Sequence, residues 1–120
     1  MADDSITAAG EDEATDDADA FDMANLSPAI TGLPMVIWVS ERGGARHDVR
    51  VRVSAVHGRN IRFGQWAVVA VRPRLVHGRL SPSDFAVVSD WIQLNEAALV
   101  DYWDYALLTD ELMQRLRRLP

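Results

Sequence analysis

The chain of 120 residues contains neither cysteine nor lysine. Without cysteine, the chain has no disulfide, no thiolate metal ligand and no cysteine nucleophile. Every basic residue other than histidine is an arginine. This indicates either the codon bias of a GC-rich genome or a use of planar guanidinium groups at carboxylate and phosphate contacts.

Long apolar runs are also missing. The longest runs, residues 35–39 and 66–71, are much shorter than the roughly 20 residues that cross a bilayer. The N-terminal stretch is acidic and lacks the basic and apolar regions of a signal peptide. We therefore expect a cytoplasmic protein that does not enter a membrane.

Charge is distributed unevenly along the chain, although the net charge is only -6. Residues 1–22 contain nine acidic residues and no base. Residues 41–79 contain nine arginines and two acidic residues, a local charge of +7. Residues 80–120 contain three arginines and seven acidic residues. The sequence thus joins an acidic tail, a basic middle part and a mildly acidic end.

Composition divides the chain into three parts. Residues 1–24 hold one aromatic residue, Phe21, among acids, alanines and small polar residues. So little apolar surface cannot offset chain entropy, and we expect a disordered acidic tail. Residues 25–32, which include Pro28 and Gly32, are predicted to be a linker. Residues 33–120 are predicted to form a single domain.

Short strands are predicted in the first half of this domain. Uninterrupted apolar runs indicate buried strands, and the strict alternation after Ala45 indicates a half-buried strand. Gly43 and Gly44 favour a hairpin turn between the first two strands, and Pro73 limits the last strand to an edge or a bend. The strands expected are residues 34–40, 45–54, 60–63, 65–71 and 74–77.

Helices are predicted in the second half. Ser81 is suited to an N-cap and Pro82 to the first helical position. Apolar residues then recur with helical spacing, which predicts one long helix to about Asp104, although Asn95 could divide it. A short helix is predicted from Thr109. The expected fold is α+β, a small antiparallel sheet of about four strands packed against one long helix, with a short C-terminal helix.

The helical segment resembles a known family. Leu80-Ser81 and Asp84 are followed by Trp91-Ile92, Asn95, Leu99 and Trp103, in a pattern that resembles a small bacterial family of domains of unknown function. In that family a short β-meander precedes one helix with an asparagine and a terminal tryptophan, and the genes often lie near toxin–antitoxin-like genes. The resemblance implies this fold for residues 33–104. The family's Pro-His-x-His segment is replaced here by Arg46-His47-Asp48-Val49.

The sequence offers little that is typical of an enzyme. Three histidines, His47, His57 and His77, are enough for a zinc site, but they lie near strand ends and turns without the spacing usual for such sites. Asp101 and Asp104 share a helix face, yet no pattern marks a cleft around them. No phosphate-binding glycine loop is present. We therefore expect no catalytic residues, no metal and no cofactor.

The arginines give the clearest functional signal. On the predicted strands several of them lie opposite the apolar positions, which predicts a basic solvent face of the sheet. No aromatic residue alternates with them, so base stacking is not expected. A solvated face that discourages edge pairing is the alternative explanation. The candidate binding residues are Arg50, Arg52, Arg62, Arg72 and Arg74.

A second pattern lies on the predicted long helix. Trp91, Asn95, Leu99 and Trp103 occur every four residues, a stripe that suits either core packing or a seam for docking a partner. A buried asparagine at this place must be hydrogen-bonded.

An identical tetrapeptide occurs twice. Val-His-Gly-Arg spans residues 56–59 and 76–79. Two similar turns, in which glycine adopts a positive φ, explain it as well as a duplicated recognition loop does.

Taken together, these patterns predict a non-catalytic interaction module that binds an acidic protein partner through the arginine-rich sheet face. A nucleic-acid-binding protein that uses the same arginines on phosphates is the alternative. The acidic tail is expected either to compete with polyanions for that face or to act as a solubilising arm. The oligomeric state is left open.

Overall fold

The computed structural model describes residues 6–7, 23–43, 45–59, 66–72 and 74–120. Most of the predicted acidic tail lies outside these residues, and so does the strand predicted at 60–63. Within the described ranges the fold is α+β, as predicted.

Five strands form the main sheet, and each pairs antiparallel with its neighbour along the chain. In order across the sheet they are β2 (Ala24–Leu26), β3 (Met35–Val39), β4 (Arg50–His57), β5 (Trp66–Ala70) and β6 (Arg74–His77). The antiparallel pairing of β3 with β4 and the edge position of β6 are confirmed, but β4 begins at Arg50 and not at Ala45 as predicted. The strand β2 was not predicted, because it forms within residues expected to be tail and linker.

The predicted linker is part of the folded structure. It contributes most of β2 and a single helical turn, α1 (Pro28–Thr31). Pro28 occupies the start of this turn, where its missing N–H has no bonding role. Regular structure thus reaches into the residues predicted as a linker, since Ala24, Asn25 and Leu26 pair with β3 at the sheet edge.

A second, two-stranded sheet lies beside β6. Its strands are β1 (Ile6–Thr7) and β7 (Arg79–Leu80), paired Ile6 to Leu80 and Thr7 to Arg79. The strand β1 also lies close to β6, and β7 close to β5. The two-stranded sheet therefore marks the edge of the main sheet that is opposite β2.

The predicted long helix is divided in two. The helices are α2 (Pro82–Leu94) and α3 (Glu96–Trp103), followed by α4 (Thr109–Arg115). The Ser81 hydroxyl caps α2 by accepting from the Asp84 N–H at 3.1 Å, as expected. The helix is interrupted at Asn95, whose N–H is shared between the carbonyls of Trp91 and Ile92. The division has a side-chain cause, described below.

Helices α2, α3 and α4 pack on one face of the sheet, which we call the helix face. The core there joins strand residues such as Ile37, Val53 and Val69 to Trp91 and Leu112. The opposite face carries a second, smaller apolar cluster. The sheet is therefore buried on both sides, and β3 and β5 are buried along their whole length.

Candidate functional site

The sheet face opposite the helices combines arginines with tryptophans, and we call it the Arg/Trp face. Trp38 on β3 is the direct cross-strand partner of Arg52 on β4, and facing residues of antiparallel strands lie on the same side of a sheet. The Arg52 guanidinium carbon lies 4.6 Å from the centre of the Trp66 ring, a cation–π distance. The residues of this face are Val36, Trp38, Arg50, Arg52, Ser54, Trp66, Val68, Ala70, Arg74 and Val76.

The centre of the Arg/Trp face is shielded from solvent. Trp38 and Arg52 each expose 2% of their surface, and Trp66 exposes 8%. The prediction that Arg52 projects into solvent was therefore wrong, since its guanidinium is buried against the Trp66 ring. The expectation that no aromatic residue alternates with the arginines was also wrong.

A signal for this arrangement was present in the sequence. Strands that are apolar at every position are typical of sheets buried on both faces, whereas one-sided sheets show alternation. Only β4 alternates clearly, so Trp38 and Trp66 had to lie on the same face as either Val51 or Arg52. The cross-strand register places both tryptophans on the face of Arg52.

At one end of the Arg/Trp face, two arginines flank a small residue. Arg50 pairs with Ala70, and Ala70 pairs with Arg74, so the three residues form a row across β4, β5 and β6. Arg74 is exposed and Arg50 is half-buried, and the exposed Arg72 is the second residue after the end of β5. Two of the five predicted arginines, Arg50 and Arg74, thus share this end of the face. Arg62 lies outside the described residues.

The predicted helix stripe is buried. Trp91, Asn95, Leu99 and Trp103 expose at most 4% of their surface and belong to the helical layer over the helix face. The side chain of Asn95 reaches the C-terminal segment, where it bonds the backbone of Arg117, and it also donates to the Trp91 carbonyl. These hydrogen bonds hold Asn95 at the position where α2 ends and α3 begins.

The histidines make different contacts. His57 contacts both carboxylate oxygens of Asp84, at 2.9 and 3.0 Å, and so joins the end of β4 to the first turn of α2. The ring of His47 lies 5.5 Å from the Trp103 ring. Among the described residues, no three histidine, aspartate or glutamate side chains form a group that could hold a metal ion.

The helical carboxylates are engaged with arginines. Asp101 pairs with Arg115 at 2.9 Å, and Asp104 pairs with Arg42 at 3.2 Å. All four side chains are substantially exposed, so each pair contributes little to stability. Two carboxylates held by separate cations on an open surface do not form an acid–base pair.

A contact that the sequence did not predict holds the β3–β4 loop to the end of α3. The Gly43 N–H donates to the Tyr105 hydroxyl at 2.7 Å, and the Arg42 N–H donates to the Trp103 carbonyl at 3.0 Å. Tyr105 has a φ of 66°, an unusual value for a residue with a side chain. This loop is therefore fixed on the helix side of the sheet, away from the Arg/Trp face.

Comparison of the chain with models of protein families, with curated proteins and with solved structures gives no match. The resemblance to a domain of unknown function, and the toxin–antitoxin context that it implies, stay predictions. None of the described helices has both the length and the apolar character needed to cross a membrane.

Proposed function

We propose that the protein is a non-catalytic interaction module that binds an acidic segment of a partner protein. The binding surface is the end of the Arg/Trp face formed by Arg50, Arg72 and Arg74. The row Arg50–Ala70–Arg74 supports this proposal most directly. Two strand spacings of about 4.8 Å place the two arginine backbones roughly 10 Å apart, with only a methyl group between them. An extended chain rises about 3.3 Å per residue, so this spacing matches carboxylates three residues apart.

The number of arginines favours a short peptide segment over a nucleic acid. Proteins that neutralise many phosphates carry a broad basic stripe and lose affinity steeply with salt. Here two of the exposed arginines, Arg42 and Arg115, already pair with aspartates of the helical layer. The tryptophans that could stack on bases, Trp38 and Trp66, are buried. Arg50, Arg72 and Arg74, at one end of the sheet, match a few carboxylates.

The buried part of the Arg/Trp face supports the binding residues. Arg52 lies between the row of Arg50 and the ring of Trp66, and its own exposure is only 2%. A guanidinium packed on an aromatic ring has few rotamers available. We assign Arg52 to holding β4 and β5 in register beneath the site, and the contact with the partner to Arg50, Arg72 and Arg74.

Binding of a fluorescent acidic peptide tests the proposal. The probe is a ten-residue glutamate-rich peptide, and its anisotropy is titrated with the full chain at low salt. Because the acidic tail is expected to compete, the titration is repeated on a full chain whose seven acids at 11–13, 16, 17, 19 and 22 are changed to amides. We expect the double variant Arg50→Glu/Arg74→Glu to bind the peptide at least tenfold more weakly than its parent.

The control variant carries the same change of charge elsewhere. Arg59→Glu/Arg117→Glu alters two exposed arginines outside the row, and we expect a change of less than about threefold, since screening weakens distant charges. Absence of binding in both parent chains, or equal losses in the two double variants, overturns the proposal. Tighter binding of a 20-base-pair DNA duplex than of the peptide would instead support the nucleic-acid alternative.

A further inference from the structure

Residues 116–120 follow α4 without helical structure and lie between α1 and the joint of α2 with α3. We call the space that they fill the α1 cleft. On one side the side-chain amide of Asn95 bonds the backbone N–H and carbonyl of Arg117. On the other side the Leu119 N–H donates to the Thr31 carbonyl at 2.9 Å. Both walls of the cleft therefore hold the segment through its backbone.

The walls carry the groups that an extended peptide needs. The last carbonyls of a helix have no partner within it, and in the short α1 they face the segment. The Ala29 carbonyl accepts from Arg118 Nε at 3.1 Å, and the Thr31 carbonyl accepts from the backbone. Opposite them, the Asn95 amide is 3% exposed and offers an acceptor and a donor, the complement of a peptide group. Groups of this kind recognise an extended chain whatever its side chains are.

Specificity comes from two leucines. Leu116 and Leu119 are half-buried and pack against the main core, whereas Arg117 and Arg118 between them are exposed. Gly32 allows the close approach of the segment, because a Cβ atom there would lie 2.9 Å from the Leu119 carbonyl oxygen. The cleft thus selects an extended segment with apolar side chains three residues apart.

An open groove of about 470 Å³ lies beside the cleft. It is lined by Leu94 and Glu96, on either side of the α2–α3 joint, and by Asp101, which pairs with Arg115 directly before the segment. Leu94 is 39% exposed. None of residues 116–120 lines this groove. A bound segment that reaches it gains apolar contacts and carboxylate partners that the chain's own segment does not make.

We propose that the α1 cleft binds an extended segment of a partner protein, with leucines three residues apart and arginines between them. Residues 116–120 occupy the cleft as an intramolecular ligand, which the partner displaces. The carboxylates of Glu96 and Asp101 favour a basic partner. A second copy of the chain is a poorer occupant, because its own segment would have to leave an identical cleft and the exchange would gain no contact. The cleft lies on the helix side of the sheet, so this proposal is independent of the acidic-peptide site.

The test uses the full chain and a fluorescent peptide, Gln-Arg-Leu-Arg-Arg-Leu-Pro, the sequence of residues 114–120. Arg117→Pro removes the N–H that Asn95 accepts and leaves the walls of the cleft unchanged. Because one hydrogen bond of the competing segment is lost, we expect this variant to bind the peptide about tenfold more tightly than the parent chain. Absence of binding to Arg117→Pro overturns the proposal.

The matched control is Arg117→Ala, which removes the same exposed side chain and keeps the N–H. Its affinity for the peptide should stay within about threefold of that of the parent chain, as is usual for surface substitutions. Equal affinities of the parent chain, Arg117→Pro and Arg117→Ala would overturn the intramolecular competition.

Two control peptides do not depend on the folding of any variant. One has alanine in place of both leucines, and the other has an N-methyl group on its fourth residue, the counterpart of Arg117. All three peptides carry the same charge, so attraction to the acidic residues of the chain contributes equally. Each control should bind at least about tenfold more weakly, since it lacks apolar contacts or a hydrogen bond. Equal binding of the three peptides overturns recognition by the cleft.

Hydrogen exchange locates the bound peptide. In the parent chain, saturation with the peptide should accelerate exchange at the amides of Arg117 and Leu119, which lose their acceptors, and leave exchange in β4 unchanged. Peptide binding without faster exchange at these two amides would place the site elsewhere and overturn the proposal. A dimer of the parent chain that Arg117→Pro abolishes would assign the cleft to a second copy and overturn the partner segment.

Discussion

The side-chain amide of Asn95 bonds both backbone groups of Arg117. Its Oδ1 atom accepts from the Arg117 N–H at 2.7 Å, and its Nδ2 atom donates to the Arg117 carbonyl at 3.0 Å. Nδ2 also donates to the Trp91 carbonyl at 3.0 Å. With 3% exposure, the amide satisfies its bonds inside the protein and fastens the C-terminal segment to the joint between α2 and α3.

Asn95→Ala should therefore destabilise the protein clearly. The change leaves the partly buried backbone N–H and carbonyl of Arg117 without this partner, and an unsatisfied buried group costs about 1–3 kcal/mol. We expect a loss of roughly 2–4 kcal/mol in the free energy of unfolding, measured by urea denaturation. Gln93→Ala, at an exposed position two residues earlier on α2, is the control and should change stability by less than about 0.5 kcal/mol. Equal effects would contradict the assigned role of the amide.

The repeated Val-His-Gly-Arg tetrapeptide supplies a matched pair of glycines. Gly58 has φ 86° and Gly78 has φ 80°, so both occupy the left-handed region. A Cβ atom on Gly58 would meet nothing within 4 Å, whereas one on Gly78 would lie 2.5 Å from the Trp66 carbonyl oxygen.

We expect Gly58→Ala to cost about 1–2 kcal/mol, the strain of the left-handed conformation alone. Gly78→Ala should cost at least about 2 kcal/mol more, because the methyl group collides with the backbone of β5. Thermal unfolding of the two variants measures the difference. Similar melting temperatures would show that Gly78 is not packed against β5 as described.

The stacking of Arg52 on Trp66 leads to a third prediction. Arg52→Lys keeps the charge but removes the planar group that lies 4.6 Å from the ring centre. A loss of about 1–2 kcal/mol in the free energy of unfolding is expected, together with a change in tryptophan fluorescence. Arg59→Lys, at an exposed site, should leave both quantities unchanged. An unchanged free energy of unfolding in Arg52→Lys would mean that the positive charge, and not the planar group, stabilises the protein.

Tyr105→Phe tests the link between the β3–β4 loop and the end of α3. It removes the hydroxyl that accepts from the Gly43 N–H and leaves the ring in place. Tyr105 is 57% exposed, so the effect on global stability should be below about 1 kcal/mol. Hydrogen exchange at the Gly43 amide should become faster, while exchange in β4 stays the same. Unaltered exchange at Gly43 would argue against this bond.

The sequence predicted the layer structure better than the composition of the Arg/Trp face. Capping by Ser81 and the apolar periodicity after it located α2, and the alternating β4 located the hairpin. The long helix was wrong because the partner of Asn95 lies 22 residues away, a distance at which local patterns carry no information. The arginine face was misjudged for a related reason. Burial of Arg52 depends on Trp38 and Trp66, which come from two other strands, and only cross-strand register brings them together.

The strands of the main sheet follow one another in space in the order of the chain. Contacts between sequence neighbours require little loop closure, so the meander is suited to early and rapid formation during folding. The C-terminal segment is different. Its Arg118 Nε donates to the Ala29 carbonyl across 89 residues, and the Leu119 N–H donates to the Thr31 carbonyl. Closure of this long loop belongs to a late step, so substitutions there should accelerate unfolding while the folding rate stays nearly constant.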